Sequence, residues 1–203
     1  MSRPAGPGVS PDENVAVFGG SFNPPHTAHL MAAILVLACH EIDRVLVVPA
    51  FQHPFAKTLA PFEDRVRMCE LAMGWVPGVE VSRVEGAIGG EGKTLHLLEH
   101  LHAAHPDWRM RLVMGADLIA ESAKWYRFEE VRRLAPPLVL GRAGVDVRGD
   151  SSVEIRAHLV LPAVSSTMVR ERIGAHAWEE LRDLVPRAVL DHVRARGLYG
   201  ATG

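Results

Sequence analysis

The chain has 203 residues, 48% hydrophobic and 23% charged, with a net charge of −2. It is long enough to bury a core without staples, and its charge is too balanced for the basic surface of a non-specific nucleic-acid binder. The longest apolar stretch, Leu30–Cys39, is too short to span a bilayer, so no membrane partner is expected either. The 2 cysteines, Cys39 and Cys69, fall in apolar helical contexts and read as reduced core thiols of a cytoplasmic protein.

Residues 1–13, MSRPAGPGVSPDE, are rich in Pro and Gly and have no apolar run that would mark a signal peptide. They are expected to be a disordered tail ahead of a single domain over 14–203. Asn14–Phe18 is a β-branched apolar run ending in Gly19-Gly20 and predicts a buried strand. Thr27–His40 predicts a helix, apolar nearly all round and therefore expected to be sandwiched in the core. Arg44–Val48 predicts the second strand. A helix is expected from Pro61 to Gly74, with Pro61 suited to its first turn and Gly74 to its end. Val79–Val84 predicts a third strand, Thr94–His105 a helix, and Arg109–Met114 a fourth strand leading into Gly115-Ala116-Asp117. Leu138–Leu140 and His158–Leu161 are two more short strands. Helices over Thr167–Ile173, Trp178–Leu184 and Pro186–Arg196 close the chain.

Alternation of this kind predicts an α/β fold, a doubly wound parallel sheet with helices on both faces and a small C-terminal helical region. Ligands of such sheets bind beyond the carboxyl ends of the strands, near the point where the strand order reverses. The segment GGSFNPPHTAHL, residues 19–30, follows the first strand and so lies at that rim. Pro49-Ala50-Phe51, Gly115-Ala116-Asp117 and Ser165-Ser166-Thr167 are expected beside it.

Gly19 and Gly20 let the backbone approach a ligand closely and adopt angles that other residues resist. Amides between a strand and a helix N-terminus favour an anion such as phosphate. His26 and His29, three apart, share one face of the first helical turn. Two imidazoles aimed at one point can donate hydrogen bonds to phosphoryl oxygens as charge grows there. The same residues also admit a plain Gly/Pro turn, or a His-x-x-His metal site, although no third ligand is evident nearby. The loop is neither a dinucleotide fingerprint nor a P-loop, having no G-x-G-x-x-G and no G-K-[ST]. His96, His100, His102 and His105 crowd one helix without Cys or acidic partners and read as solvated.

GGSFNPPHTAHL resembles the G-[ST]-F-[DN]-P-x-H-x-G-H signature of the HxGH nucleotidyltransferases, and SSTMVRERI, residues 165–173, resembles their second signature, I-S-S-T-x-[IV]-R. Between them, VPAFQHPFAK, GADLIAESAKWYRFEEV and LVLGRAG are similar to segments of bacterial nicotinate-nucleotide adenylyltransferases, as is the closing VPRAVLDHVRARGLYG. The resemblance covers about residues 14–200. Three positions depart from it: Ala28 replaces the glycine of H-x-G-H, EGKTL retains only Thr94 and Leu95 of T-x-x-T-L, and Ala143 replaces the proline of R-P-G. With a methyl at residue 28, helix and ligand are expected to sit slightly apart.

The resemblance implies a Rossmann-like fold and transfer of the adenylyl group of ATP to nicotinate mononucleotide. His26 and His29 would be catalytic, binding the ATP phosphates with His29 nearest the reacting group. Gly19, Gly20, Ser21 and Phe22 would hold phosphate, together with Gly115, Asp117, Ser165, Ser166, Thr167 and the cation Arg170. Asn23, Lys57, Thr94, Trp125, Tyr126 and Arg142 would meet the acceptor, Trp125 by stacking on its pyridine ring and Lys57 at its phosphate. Mg2+ would be carried by the ATP phosphates and water rather than by a carboxylate cage. The bland readings are an N-cap for the Ser-Ser-Thr run, a helix cap for Asp117, a solvated charge for Lys57 and a core anchor for Trp125. ATP and nicotinate mononucleotide are the expected partners, and self-association is left open. Phosphopantetheine adenylyltransferase, which shares both signatures, and a non-catalytic nucleotide-binding domain are the alternatives.

Overall fold

The computed structural model describes residues 13–52, 59–89, 93–119, 125–142 and 155–201. Six strands form one sheet in the order β3-β2-β1-β4-β5-β6, and every neighbouring pair runs parallel. The strands are β1 Glu13–Gly20, β2 Arg44–Pro49, β3 Val79–Val81, β4 Trp108–Gly115, β5 Pro137–Arg142 and β6 Ile155–Leu161. Continuous apolar runs form β1 and β2 because both of their faces are buried. Ala16, Phe18, Val45 and Val47 enter one core cluster, whereas Val15, Val17, Leu46 and Val48 enter the other.

The first cluster is covered by α1 Thr27–Cys39, α2 Phe62–Met73, α7 Ser166–Gly174, α8 Trp178–Leu181 and α9 Arg187–Ala195, with a 3-10 turn at Leu198–Gly200. On the opposite face lie α4 Thr94–Ala104 and α6 Phe128–Leu134. Two shorter helices, α3 Val84–Ile88 and α5 Ala116–Ile119, follow β3 and β4. The expected α/β sheet with helices on both faces and helices at the C-terminus is therefore present. Among the described residues no helix is long and apolar enough to cross a membrane.

Several expectations need correction. The first strand begins at Glu13, inside the stretch read as tail, because Arg44 of β2 pairs with the Glu13 carboxylate at 2.6 Å and draws it into the sheet. The third strand stops at Val81, and Val84 opens α3 instead. Helix α1 is not sandwiched: Ala28, Ala32, Ala33 and Val36 are buried, but Met31 and Ile34 on its outer side are 42% and 40% exposed. An all-apolar helix reads as buried all round only if a second layer covers it, and among the described residues none covers this side. Cys69 is a core thiol, whereas Cys39, at the end of α1, is exposed.

Candidate active site

The strand order reverses between β1 and β4, where β1 has β2 on one side and β4 on the other. That is the crevice position for ligands of open parallel sheets. The loop from β1 to α1 lies there, and the first turn of α1 contains no acidic residue to oppose an anion.

Gly19 and Gly20 are the last residues of β1, and neither has a positive φ, contrary to the expectation of unusual glycine angles. Extended backbone suits any residue. Their use is space: a Cβ at Gly19 would meet nothing within 4 Å, which leaves the strand end open to a ligand. The left-handed residue is Phe22, at φ 45°. Such a conformation costs a non-glycine residue about 1–3 kcal/mol. The Phe22 ring offsets this by burial, packing edge-on against Phe18 at 5.4 Å and against His29 at 5.0 Å.

His26 is the N-cap of α1 and is 4% exposed, and His29 sits one turn on. They form a reciprocal cap, His29 Nδ1 accepting the His26 backbone N–H at 3.1 Å and the His26 ring facing the His29 amide. The rings lie 3.8 Å apart, tilted by 34°. An accepting ring nitrogen carries no proton in neutral imidazole, so the His29 proton sits on Nε2, as a donor. Ala28, between them, is 5% exposed and belongs to the first core cluster. Its methyl packs against protein on the core side of the helix.

The second signature runs alongside the first. Ser165 caps α7, its Oγ accepting the Met168 amide at 3.2 Å. Ser166 Oγ donates to the Pro24 carbonyl at 2.8 Å, and Arg170 donates to the Asn23 carbonyl at 2.8 Å and to Thr167 Oγ1 at 3.2 Å. In this structure these side chains join the two signature loops, and Thr167 is exposed. Asn23 is buried, with Oδ1 accepting the Ala60 amide at 3.0 Å and the Tyr199 hydroxyl at 2.9 Å. The Gly-Leu-Tyr ending thereby ties the C-terminal turn to the first loop. Burial pushes the Tyr199 phenol pKa up, which keeps it a donor.

The other sequence-predicted residues are distributed as follows. Gly115 ends β4 and Arg142 ends β5, both at the rim, and Asp117 lies in α5. Thr94 opens α4. Trp125 is half-buried, edge-on to Phe128 at 5.7 Å and packed against the second core cluster. Tyr126 is 48% exposed, with Lys93 Nζ 5.0 Å from its ring centre and His96 edge-on at 5.7 Å. Lys57 lies outside the described residues.

Two groups that sequence reading missed lie beside the loops. Arg65 is 1% exposed, and its guanidinium donates to the carbonyls of Ser21 (3.0 Å), Ala50 (2.7 Å), Phe51 (3.3 Å) and Ala60 (3.0 Å). Its signal was there: residue 65 shares a helical face with Met68, Cys69, Ala72 and Met73, so a guanidinium stands on the buried stripe of α2. Asp64, also buried, accepts from His192 and Arg196 of the C-terminal segment at 3.0 Å each. Burial alone would raise its carboxyl, but the Arg196 and His192 hydrogen bonds together outweigh that and hold it below the usual carboxylate value.

Fold and loop define a nucleotidyltransferase of the cytidylyltransferase-like family, whose model matches residues 17–172. A protein of Anaeromyxobacter dehalogenans named as a nicotinate-nucleotide adenylyltransferase is 48% identical over 195 residues, 94% of this chain and 99% of the relative. One of Myxococcus xanthus with the same name is 38% identical over 193 residues, 95% of this chain and 97% of the relative. The chain belongs to the nicotinate-nucleotide adenylyltransferase family and is an enzyme of the nucleotidyltransferase type. Its fold is that of a solved Plasmodium falciparum nicotinic acid mononucleotide adenylyltransferase complexed with NaAD, at TM-score 0.77 and 18% identity, covering 94% of this chain and 98% of that one.

Proposed function

We propose that the enzyme transfers the adenylyl group of ATP to nicotinate mononucleotide, giving deamido-NAD and pyrophosphate, a step of NAD biosynthesis. The observation that carries this reading is the His26–His29 pair at the α1 N-terminus, with the His29 donor fixed on Nε2 at the sheet's switch point. The names of its relatives support the acceptor, and so does the NaAD in the Plasmodium falciparum structure.

The acceptor phosphate attacks the α-phosphorus of ATP, the P–O bond to the bridging oxygen breaks, and pyrophosphate leaves. No protein nucleophile is required; positioning and charge stabilisation do the chemistry. The His29 Nε2–H meets phosphoryl oxygens as negative charge builds on them. His26 and the first amides of α1 hold the triphosphate, and the α7 N-terminus with Thr167 and Arg170 holds its far end. Gly19, Gly20, Ser21 and Phe22 form the floor of the phosphate site. Gly115 and Asp117 stand at the nucleoside side. Trp125, Tyr126, Thr94, Arg142 and Asn23 are assigned to the acceptor, as is Lys57, which lies outside the described residues; the Asn23 side-chain oxygen also braces the loop through Ala60 and Tyr199.

Nucleotidyltransferases generally use a divalent cation; Mg2+, carried on the ATP phosphates, would supply charge neutralisation. Among the described residues no group of three His, Cys, Asp or Glu could hold a metal. A cation carried in by phosphate and water would need no cage of protein ligands.

The test is an acceptor panel. ATP and Mg2+ are mixed with nicotinate mononucleotide, nicotinamide mononucleotide or phosphopantetheine, and pyrophosphate is measured. Fastest release with nicotinate mononucleotide is expected. Release only with phosphopantetheine, or with none of the three, contradicts the reading.

A further inference from the structure

Arg65 joins segments that the chemistry needs at fixed separation. It reaches Ser21, in the phosphate loop after β1, and Ala50 and Phe51, in the segment after β2 that precedes Lys57, an acceptor residue in the reading above. Its fourth acceptor, Ala60, precedes α2 and also hydrogen-bonds Asn23 through its amide.

We propose that Arg65 is a positioning residue for adenylyl transfer, aiming the Phe22 amide at the ATP phosphates and fixing the spacing between the donor and acceptor loops. The proposal rests on the adenylyl-transfer reading above. The peptide unit is planar and trans, so C=O and N–H point in opposite directions. Pinning the Ser21 carbonyl on Arg65 therefore turns the Phe22 N–H away from the core. Phe22 itself takes a positive φ, 45°, at this turn of the loop. The same logic holds one strand over. Arg65 takes the carbonyl of Ala50, which turns the following amide, Phe51 N–H, the other way; on α3, burial pushes the Glu85 carboxyl pKa up and the Phe51 backbone partly offsets this. Glu85 is 4% exposed and its Oε2 has no hydrogen-bond partner among the described residues.

The geometry needs arginine rather than any cation. Five donors in a rigid fork serve four carbonyls at once, whereas an ammonium offers three donors at one point. A residue acting this way affects the reacting geometry more than ground-state binding, since a shift of about 1 Å can cost on the order of 10²-fold in rate.

Arg65→Lys and Arg65→Met separate the role from a merely structural one. In pyrophosphate-release assays per folded molecule, both variants are expected to lose at least about tenfold in kcat, with both KM values changed less than about threefold. In parallel, the 15N resonance of the Phe22 amide shifts on adding ATP to the parent and stays still in Arg65→Met. Variants with kcat within about threefold of an active parent and an unchanged Phe22 response would overturn the proposal alone. Failure of both variants to fold would also overturn it, assigning Arg65 to the core. A parent that releases no pyrophosphate with any acceptor defeats the adenylyl-transfer reading, and this proposal with it.

Discussion

The Nδ1 of His29 accepts the backbone N–H of His26 at 3.1 Å. One hydrogen bond thus caps the helix and decides where the His29 proton sits. A donor on Nε2 gains strength only as charge forms in the transition state, so it acts on kcat. His29→Ala is expected to lower kcat by about 10²–10³, while ATP binding by calorimetry stays within about tenfold. Turnover near the parental rate would mean that the loop binds phosphate without stabilising the transition state.

The aromatic pair after α5 divides into a packed ring and an open one. Trp125 is half-buried against Phe128, and Tyr126 is exposed beside Lys93. If the acceptor ring stacks on Trp125 and its carboxylate meets the Tyr126 backbone amide, only one of the two side chains matters. Trp125→Ala is expected to raise KM for the mononucleotide several-fold more than KM for ATP, since ring stacking contributes about 0.5–1.5 kcal/mol. Tyr126→Ala keeps its amide and leaves both values close to the parent's. Equal damage to both substrates in Trp125→Ala, with a lowered melting temperature, would make Trp125 a core anchor.

The strands were legible because β1 and β2 bury both faces and so read as unbroken apolar runs. Three short helices were not: α3, α5 and α6 have 5, 4 and 7 residues, too few to display a helical period, whereas the 4-residue α8 was read only as part of a longer run, Trp178–Leu184. The histidine pair was legible from its spacing and from its place after a strand. Arg65 was not singled out, since a lone arginine in a charged segment reads as solvated until its register with Met68, Cys69 and Ala72 is noticed. The long-range ties from Tyr199 to Asn23 and from Arg196 to Asp64 join residues far apart in the chain, and nothing local announces them.

The Asp64 cluster predicts a pH dependence of stability. Its carboxyl is held below 3.8 in the fold, so it is ionised there at pH values where the unfolded chain has begun to protonate. Its stabilisation is fully present above 3.8 and is lost as the pH falls through the folded value. Denaturant unfolding should find Asp64→Asn less stable than the parent at neutral pH, with the gap narrowing as the solution is acidified. A gap that stays constant down to acid pH would rule out an ionised Asp64 as the source.

Thiol accessibility checks the packing of α1 and α2. Cys39 is exposed, and burial pushes the Cys69 thiol pKa well up. A disulfide reagent at neutral pH should titrate one of the two thiols in the native enzyme and both in denaturant. Two fast thiols in the native state would contradict the placement of Cys69 on the buried stripe of α2.

Product stoichiometry tests the central claim most directly. ATP, Mg2+ and nicotinate mononucleotide are incubated with the enzyme, and the nucleotide products are separated and quantified alongside phosphate species. Attack at the α-phosphorus assisted by His26 and His29 predicts deamido-NAD and pyrophosphate in equal amounts, with no AMP or ADP above the enzyme-free control. ADP, AMP without dinucleotide, or orthophosphate as the first phosphate product would place the reaction at another bond and contradict the account.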